Sequence, residues 1–229
     1  MYIFCGLGLA SCRRRQLTSN LRPHKPKMTS PPTDIAEMLA ALQAQDAAPS
    51  HLPRLAALHE LCVRSPQCMG LALVGSFAQG KGDRLSDLDL AAFVKAGHES
   101  EFLLQAQEIL DGDPVLHQYG ATRAGEVAFR KYIYLDASSC EFHAFSELAN
   151  FKLRPPYWAV WNPIHHLEAL VVQEPPPRHE DFTPYPHGDD GLIWELYDCI
   201  KWLKRGRTTL AKQYLSKLSA SLSSRDGQS

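Results

Sequence analysis

Apolar side chains recur at helical spacing in two segments that precede the more regular part of the chain. The first segment begins at Asp34, which is spaced with Glu37 as a capping box. The second begins near Ser50, a candidate N-cap, and its apolar stripe stops at Ser65-Pro66. Both patterns predict amphipathic helices, and neither helix carries visible chemistry.

Two short apolar runs then flank a polar loop and are followed by another helical pattern. Leu71 to Val74 and Leu88 to Val94 are typical of strands in a sheet that helices cover. Glu99 to Leu110 has its apolar residues at helical spacing, and Asp111-Gly112-Asp113-Pro114 breaks the pattern. This succession predicts a strand, loop, strand, helix unit.

A β-hairpin is predicted in the middle of the chain. Glu126 to Leu135 and Cys140 to Phe145 are rich in aromatic and β-branched residues and flank the turn-forming Asp136-Ala137-Ser138-Ser139. Because side chains alternate along a strand, Glu141 and His143 are expected to share one face of the second strand.

The last third of the chain changes from strand to helical patterns. Glu168 to Gln173 indicates a final short strand, and the proline-rich stretch from Pro175 to Pro186 indicates an extended linker. Apolar stripes over residues 192–203 and 210–218, separated by Gly206 as a helix cap, predict a helical hairpin. We therefore expect an α/β (α+β) fold, with a mixed sheet flanked by helices and a C-terminal helical hairpin.

These patterns divide the chain into N-terminal helices (28–66), a core (67–175), and a linker with the C-terminal hairpin (176–229). Residues 1–27 are interpreted as a leader that is absent if translation starts at Met28. Their apolar run precedes the basic residues, which is the wrong order for a signal peptide, and it is shorter than the roughly twenty residues that span a bilayer. Lipoprotein-like processing at Cys12 is the alternative.

Composition narrows the class of protein. The 229 residues are 45% hydrophobic and 21% charged, which is typical of a soluble globular protein. A net charge of -1 provides no global field that would attract long nucleic acid, so small substrates are favoured. The six cysteines form no C-x-x-C pair, which argues against a zinc site or a disulfide framework and favours the cytoplasm.

The candidate chemistry lies between Leu71 and Val94. Asp87 and Asp89 are two residues apart, so at the start of a strand their carboxylates point to one face and can converge on shared cations. Gly75-Ser76 closes the preceding strand, and if it opens a helix it can present backbone N–H groups and a hydroxyl to a phosphate. Each motif is common alone, but together they indicate a nucleotide site with bound magnesium.

A known signature is matched within this segment by Gly75-Ser76, Ala78, Gly80, Asp83 and Ser86-Asp87-Leu88-Asp89-Leu90. These residues resemble the signature of the polymerase-β nucleotidyltransferase superfamily, and within it most resemble the small antibiotic (aminoglycoside and lincosamide) nucleotidyltransferases. The resemblance covers residues 67–175 and, more loosely, the helical hairpin. It implies that Asp87 and Asp89 hold two Mg²⁺ ions against the triphosphate of ATP or another nucleoside triphosphate.

The family generally has a third carboxylate on a later strand, and Glu141 is the best match. Asp136 and Glu147 are alternatives, but the first falls in the predicted turn and the second beyond the strand end. The resemblance implies that Glu141 is a third metal ligand or the general base.

Basic and acidic side chains supply further candidates for substrate binding. Lys81 and Arg84 in the polar loop, and Lys201 near the end of a C-terminal helix, are candidates for binding the triphosphate, although a helix C-terminus favours cations whatever the function. Glu195 lies in an acidic stretch that is either merely solvated or binds a cationic acceptor, with Glu195 as a possible base.

The expected reaction transfers a nucleoside monophosphate, AMP from ATP, to a hydroxyl of a small-molecule acceptor and releases pyrophosphate. The expected partners are a nucleoside triphosphate and that acceptor, without nucleic acid or a membrane. The alternatives are nucleotidylation of a protein or an RNA end, as in toxin–antitoxin pairs, and a non-catalytic nucleotide-binding module. A solvated loop in which Ser86 caps a helix is the structural alternative for Asp87 and Asp89.

Overall fold

A computed structural model describes residues 31–123, 127–175 and 183–226. The predicted leader, 1–27, and most of the predicted linker lie outside the described residues. The helices are α1 (Ile35–Ala44), α2 (His51–Arg64), α3 (Gly75–Ala78), α4 (Glu99–Leu110), α5 (His166–Ala169), α6 (Gly188–Lys204) and α7 (Thr208–Asp226). The strands are β1 (Cys68–Leu73), β2 (Leu88–Val94), β3 (Val115–Arg123), β4 (Val127–Tyr134), β5 (Ser139–Ser146) and β6 (Trp158–Trp161).

The strands form one mixed sheet in the order β3-β4-β5-β2-β1-β6. Strands β2 and β5 run parallel, whereas β1–β2, β1–β6, β3–β4 and β4–β5 are antiparallel. Because β5 returns beside β2, residues far apart in sequence meet at the centre of the sheet. The predicted fold class, a mixed sheet flanked by helices with a C-terminal helical pair, is confirmed.

The alternation along β2 explains the two faces of this sheet. Leu88 and Leu90 are buried on one face, in a core that they share with apolar side chains of α1, α2 and α4. Ala91 and Phe93 point to the other face, where they pack in a smaller cluster with Leu153 and with Leu167 of α5. Asp89 has the same parity as Ala91, so it lies on the face that α1, α2 and α4 leave uncovered.

The predicted starts of the two N-terminal helices are correct, but only the first helix has the predicted side-chain cap. The Asp34 carboxylate accepts a hydrogen bond from the backbone N–H of Glu37 at 2.8 Å, as in a capping box. Ser50 is the N-cap residue of α2, as predicted, but its side chain makes no cap hydrogen bond. Its hydroxyl instead donates to Asp136 at 2.6 Å, so Ser50 fastens α2 to the β4–β5 turn.

The predicted strand at Glu168 to Gln173 is also wrong. Residues 166–169 form the short helix α5, and Val171 contributes one isolated bridge to Leu153. The Asn162 side chain accepts from the N–H of Leu167 at 3.2 Å, which stabilises the helical turn, and Leu167 is fully buried. The burial of Leu167 against the sheet therefore stabilises a short helix in a region where the apolar run at residues 168–173 had predicted a strand.

The C-terminal hairpin agrees with its prediction. Helices α6 and α7 pack through Cys199 and Trp202 of one helix and Ala211 and Tyr214 of the other. Gly206 has φ +74, the left-handed conformation that ends a helix and favours glycine. Among the described helices, none has both the length and the apolar character that a membrane span requires.

Candidate active site

Three carboxylates meet where β2 and β5 begin. Asp87 immediately precedes β2, Asp89 is its second residue, and Glu141 lies in β5. The parallel register pairs Asp89 directly with Glu141, so both side chains are on the face that carries Ala91 and His143. We call Asp87, Asp89 and Glu141 the acidic site.

Asp87 is bound by two donors from distant parts of the chain. The Ser139 hydroxyl donates to its Oδ1 at 2.5 Å, and the Lys201 ammonium lies 2.7 and 2.8 Å from its two oxygens. Burial alone would raise the pKa of Asp87, but the positive charge and hydrogen bonds of Lys201, together with the Ser139 bond, hold it below its ordinary value. Asp87 is therefore a fixed anion in this arrangement.

Lys201 is the buried cation of the site. Its side chain is 2% exposed, and its ammonium also contacts Asp198, 2.6 Å away on the same helix. Although burial disfavours a charged lysine, the charges of Asp87 and Asp198 raise the pKa of Lys201 above its ordinary value. The ammonium lies 5.2 Å from the ring centroids of both Trp194 and Tyr197, which complete its apolar surroundings.

Glu141 is held by a second cation. Lys131 of β4 is its cross-strand neighbour and places its ammonium 2.8 Å from Oε2, and His143 Nε2 lies 2.6 Å from Oε1. Burial acts to raise the pKa of Glu141, but Lys131 and His143 together lower it to about 2. The side chain is thus both a partner of a structural ion pair and a member of the acidic site.

Asp89 differs from its two neighbours. Among the described residues its carboxylate has no hydrogen-bond or ion-pair partner. Burial, and then the charges of Asp87 and Glu141, raise the pKa of Asp89 well above its ordinary value. Gly75 approaches it closely: a Cβ added to this residue, whose φ is +72, would collide with the Asp89 carboxylate. The acidic site is therefore short of positive charge beside Gly75.

The donor chemistry of the acidic site fits a hard cation, since carboxylate oxygens are the ligands that Mg²⁺ prefers. The excess negative charge around Asp89 points the same way. Within the described ranges, however, no group of three His, Cys, Asp or Glu side chains is arranged to hold a metal ion. The reason is visible in the contacts, because Asp87 is turned to Lys201 and Glu141 to Lys131.

No family model and no curated protein matches this chain. Solved structures that it resembles include Cid1 in complex with its short product ApU (17% identity, TM-score 0.31), a cytoplasmic RNA terminal U-transferase (18%, 0.31) and the GLD-2/RNP-8 complex (18%, 0.29). The matches cover 48% of this chain but only 35%, 35% and 42% of those chains, so it spans well under half of their length. Similarity at this level assigns no activity to this chain.

Of the predicted phosphate-binding cations, the structure brings only Lys201 to the acidic site. Lys81 is exposed, its ammonium lies 3.5 Å from the Gln79 side chain, and its backbone N–H donates to the carbonyl of Ser76 at 2.9 Å. Arg84 is exposed in the same loop. Neither makes a hydrogen bond or ion pair with the acidic site among the described residues, so both remain candidates only for contacts with a bound substrate.

The alternatives to Glu141 lie elsewhere. Asp136 sits in the β4–β5 turn, where it accepts hydrogen bonds from the side chains of Ser50 and Ser138. Glu147 follows β5 and accepts from the N–H of Ala96 at 3.4 Å. Neither side chain has a contact with Asp87 or Asp89 among the described residues.

Glu195, the candidate base, is buried in the C-terminal hairpin. It accepts from the Tyr214 hydroxyl at 2.7 Å and from the N–H of Tyr185 at 2.8 Å. The second oxygen has no hydrogen-bond partner among the described residues. These contacts give Glu195 a structural role between α6, α7 and the segment before α6.

Sequence reasoning missed four residues that contact the site or its loop: Ser139, Lys131, Asp198 and Arg205. For Lys131 a signal was present, because a hairpin that turns at residues 136–138 pairs position 131 with position 141. Arg205 binds Asp83 at 2.6 and 2.8 Å across 122 residues of sequence, and no local pattern indicates that contact.

Proposed function

We propose that this chain is a nucleotidyltransferase that transfers a nucleoside monophosphate to a hydroxyl and releases pyrophosphate. The observation that carries the proposal is the acidic site itself. Three carboxylates lie side by side at the ends of two parallel strands, next to the close approach of Gly75, and Asp89 has no cationic partner. A fold that needed these residues only for stability would not leave a buried carboxyl such as Asp89 without a hydrogen-bond or ion-pair partner.

In this proposal Asp87, Asp89 and Glu141 hold two Mg²⁺ ions. When bound, the ions neutralise phosphate charge and activate the attacking hydroxyl. Gly75 and Ser76 bind phosphate, because the absence of a side chain at Gly75 lets the backbone come close to it. Lys201 orients Asp87, and Lys131 and His143 orient Glu141.

The proposed donor is ATP, and the first candidate acceptor is a small hydroxyl-bearing molecule, as in the antibiotic nucleotidyltransferases. An RNA end is the second candidate. It is favoured by Lys81 and Arg84, which are exposed in the α3–β2 loop that leads into Asp87 and make no bonds to the carboxylates of the acidic site. Cations in such a position suit a phosphate backbone, whose binding weakens steeply with salt.

The deciding experiment incubates the chain with labelled nucleoside triphosphates, Mg²⁺ and three acceptor pools: aminoglycosides and other small polyols, short RNA, and cell-lysate protein. Pyrophosphate release and a product heavier by one nucleoside monophosphate are expected in one pool. Salt-sensitive turnover with RNA would select the second candidate. The absence of a labelled product in every pool with all four nucleotides would contradict the proposed activity.

Variants tie the activity to the acidic site. Asp89→Asn should abolish turnover while the melting temperature stays the same or rises, because the change relieves repulsion among three carboxylates. Glu141→Gln should also lower turnover steeply, but with a lower melting temperature, since it breaks the ion pair with Lys131. Asp136→Asn and Glu147→Gln are matched controls that remove a charge outside the site, and normal turnover is expected in both.

A further inference from the structure

Helix α6 has an apolar stripe that no described part of the chain covers. The exposed fractions are 49% for Ile193, 41% for Leu196, 48% for Ile200 and 46% for Leu203. These four residues follow one another at intervals of three, four and three, which places them on one side of the helix over about 15 Å. Other exposed leucines, such as Leu116 of β3 and Leu148 in the turn after β5, lie singly.

The intramolecular contacts of α6 are made by its other sides. Trp194 packs with Tyr119 and Phe129 of the sheet, and Lys201 reaches the acidic site. Cys199 and Trp202 pack against α7. The packing among the described residues therefore does not use the stripe, and large aliphatic groups aligned on an exposed helix face mark an interaction surface.

The spacing of the stripe repeats the a and d positions of a heptad, the pattern by which two helices pack side by side. The four positions of the stripe are also placed symmetrically in sequence about position 198. In an antiparallel pair of α6 helices, Ile193 of each copy lies opposite Leu203 of the other, and Leu196 lies opposite Ile200. A two-fold axis at the centre of α6 thus matches every apolar residue of the stripe with an apolar residue.

The charges at the two ends of α6 are complementary in the same arrangement. Asp189 and Asp190 lie in its first turn, where the Tyr185 hydroxyl binds Asp189 and leaves its charge in place. Lys204 and Arg207 are exposed at the opposite end. Antiparallel pairing brings the acidic end of each copy to the basic end of the other, whereas parallel pairing would bring like charges together.

We infer that the chain forms a two-fold symmetric dimer through antiparallel packing of α6 against α6 of a second copy. The inference does not depend on the proposed activity. The acidic site lies on another side of α6, so the dimer leaves it accessible while packing against the helix that carries Lys201.

Sedimentation velocity of the full chain over a concentration series tests the interface. A dimer is expected that shifts to monomer on dilution, and the double variant Leu196→Asp/Ile200→Asp should be monomeric at every concentration, with the melting temperature of the diluted, monomeric wild type. Leu116→Asp/Leu148→Asp is the matched control and should dimerise normally. A wild-type chain that stays monomeric at tens of micromolar, or a dimer that the double variant does not disrupt, overturns the inference and assigns the stripe to another partner.

Cross-linking tests the orientation. The four described cysteines are buried, so a background with Cys5→Ser and Cys12→Ser leaves an introduced thiol as the reactive one. Leu196→Cys and Ile200→Cys chains, mixed and oxidised, should form a disulfide-linked heterodimer, and either chain alone should form little homodimer. Efficient homodimer cross-linking of each chain alone without the heterodimer overturns the antiparallel arrangement.

Discussion

The N-terminal and C-terminal helices hold the same loop, residues 75–87, by different chemistry. From the N-terminal side, the buried amide of Gln45 donates to the carbonyl of Phe77 at 3.1 Å and accepts from the N–H of Gly82 at 2.9 Å. His51 Nε2 lies 3.1 Å from the carbonyl of Ser86. These neutral hydrogen bonds go to the backbone, so α1 and α2 fix the path of the loop without regard to the charge it carries.

The C-terminal hairpin contacts the loop through charged side chains. Lys201 pairs with Asp87, and Arg205 makes a two-bonded contact with Asp83. These contacts set the positions and the charge balance of carboxylates instead of the path of the backbone. One helical layer thus makes the loop rigid, and the other supplies its counter-charges. Only the second should respond to salt and to charge-changing substitutions.

Lys201→Met is expected to have the largest effect, because it leaves Asp87 and Asp198 without their shared cation. Breaking a buried ion pair from one side costs about 3–5 kcal/mol, and the site loses the group that orients Asp87. Urea unfolding should show the lower stability, and turnover should fall with it. Lys204→Met, which removes an exposed lysine from the same helix, should change neither. Equal behaviour of the two variants would show that the charge balance of the site does not depend on the hairpin.

Gln45→Met keeps the size of the side chain but removes both hydrogen bonds to the loop. Loss of bonds to buried backbone groups is expected to cost about 2 kcal/mol. Gln45→Glu keeps the acceptor for Gly82 but turns a carboxylate oxygen towards the Phe77 carbonyl, so it should lose at least as much stability. The control is Gln43→Met, an exposed position on the same helix. If hydrogen exchange of the amides of residues 76–82 is no faster in Gln45→Met, the N-terminal layer does not make the loop rigid.

Much of the fold follows from side-chain periodicity. The apolar run from Leu88 to Val94 is β2 with the same bounds, and Glu99–Leu110 is α4 with the same bounds. Strands β3 and β6 were not predicted, because neither shows an uninterrupted apolar pattern. β3 begins with the half-polar sequence Val-Leu-His-Gln, and β6 has four residues. Their strand conformation comes from pairing with β4 and β1, which local sequence does not encode.

In the candidate site, too, local sequence predicts some features and not others. That Asp87, Asp89 and Glu141 share one face follows from a spacing of two and a strand register, whereas their role as metal ligands was implied by the family resemblance and stays a prediction. Gln45 and His51 escaped notice because a hydrogen bond to a backbone carbonyl 32 or 35 residues away requires no particular partner side chain. The N-terminal helices were expected to carry no chemistry. Their contribution to the site is structural, through the hydrogen bonds of Gln45 and His51 to the backbone of the loop.

Arg205→Met tests whether the C-terminal contacts are sensitive to salt. The Arg205 and Asp83 side chains are 23% and 36% exposed, so their two-bonded pair is expected to contribute about 1 kcal/mol and to be screened. The stability lost in Arg205→Met should therefore shrink in about 1 M salt, where the Debye length is near 3 Å. The loss in Gln45→Met should stay constant, and Arg207→Met is the exposed control. A loss that does not change with salt would mean that packing, and not charge, joins Arg205 to the loop.

His51 gives the smallest expected effect and the one that depends on pH. Burial lowers its pKa from the ordinary value of 6.5, and the Arg54 guanidinium acts in the same direction, against the Ser86 carbonyl and the charge of Asp87. A lowered pKa means that the folded protein keeps the imidazole neutral while the unfolded chain binds a proton. The contribution of His51 to stability is thus complete above about pH 6.5 and is lost as the pH falls from there through the folded pKa. At about pH 6 the loss is at most about 0.8 kcal/mol.

His51→Gln removes this titration, so its free energy of unfolding should fall less between about pH 7 and pH 5.5 than that of the wild type. His165→Gln, at an exposed position, should follow the wild type. Parallel pH profiles for His51→Gln and the wild type would show that the imidazole is not held neutral against Ser86, and that the N-terminal layer contacts the loop through a charge after all.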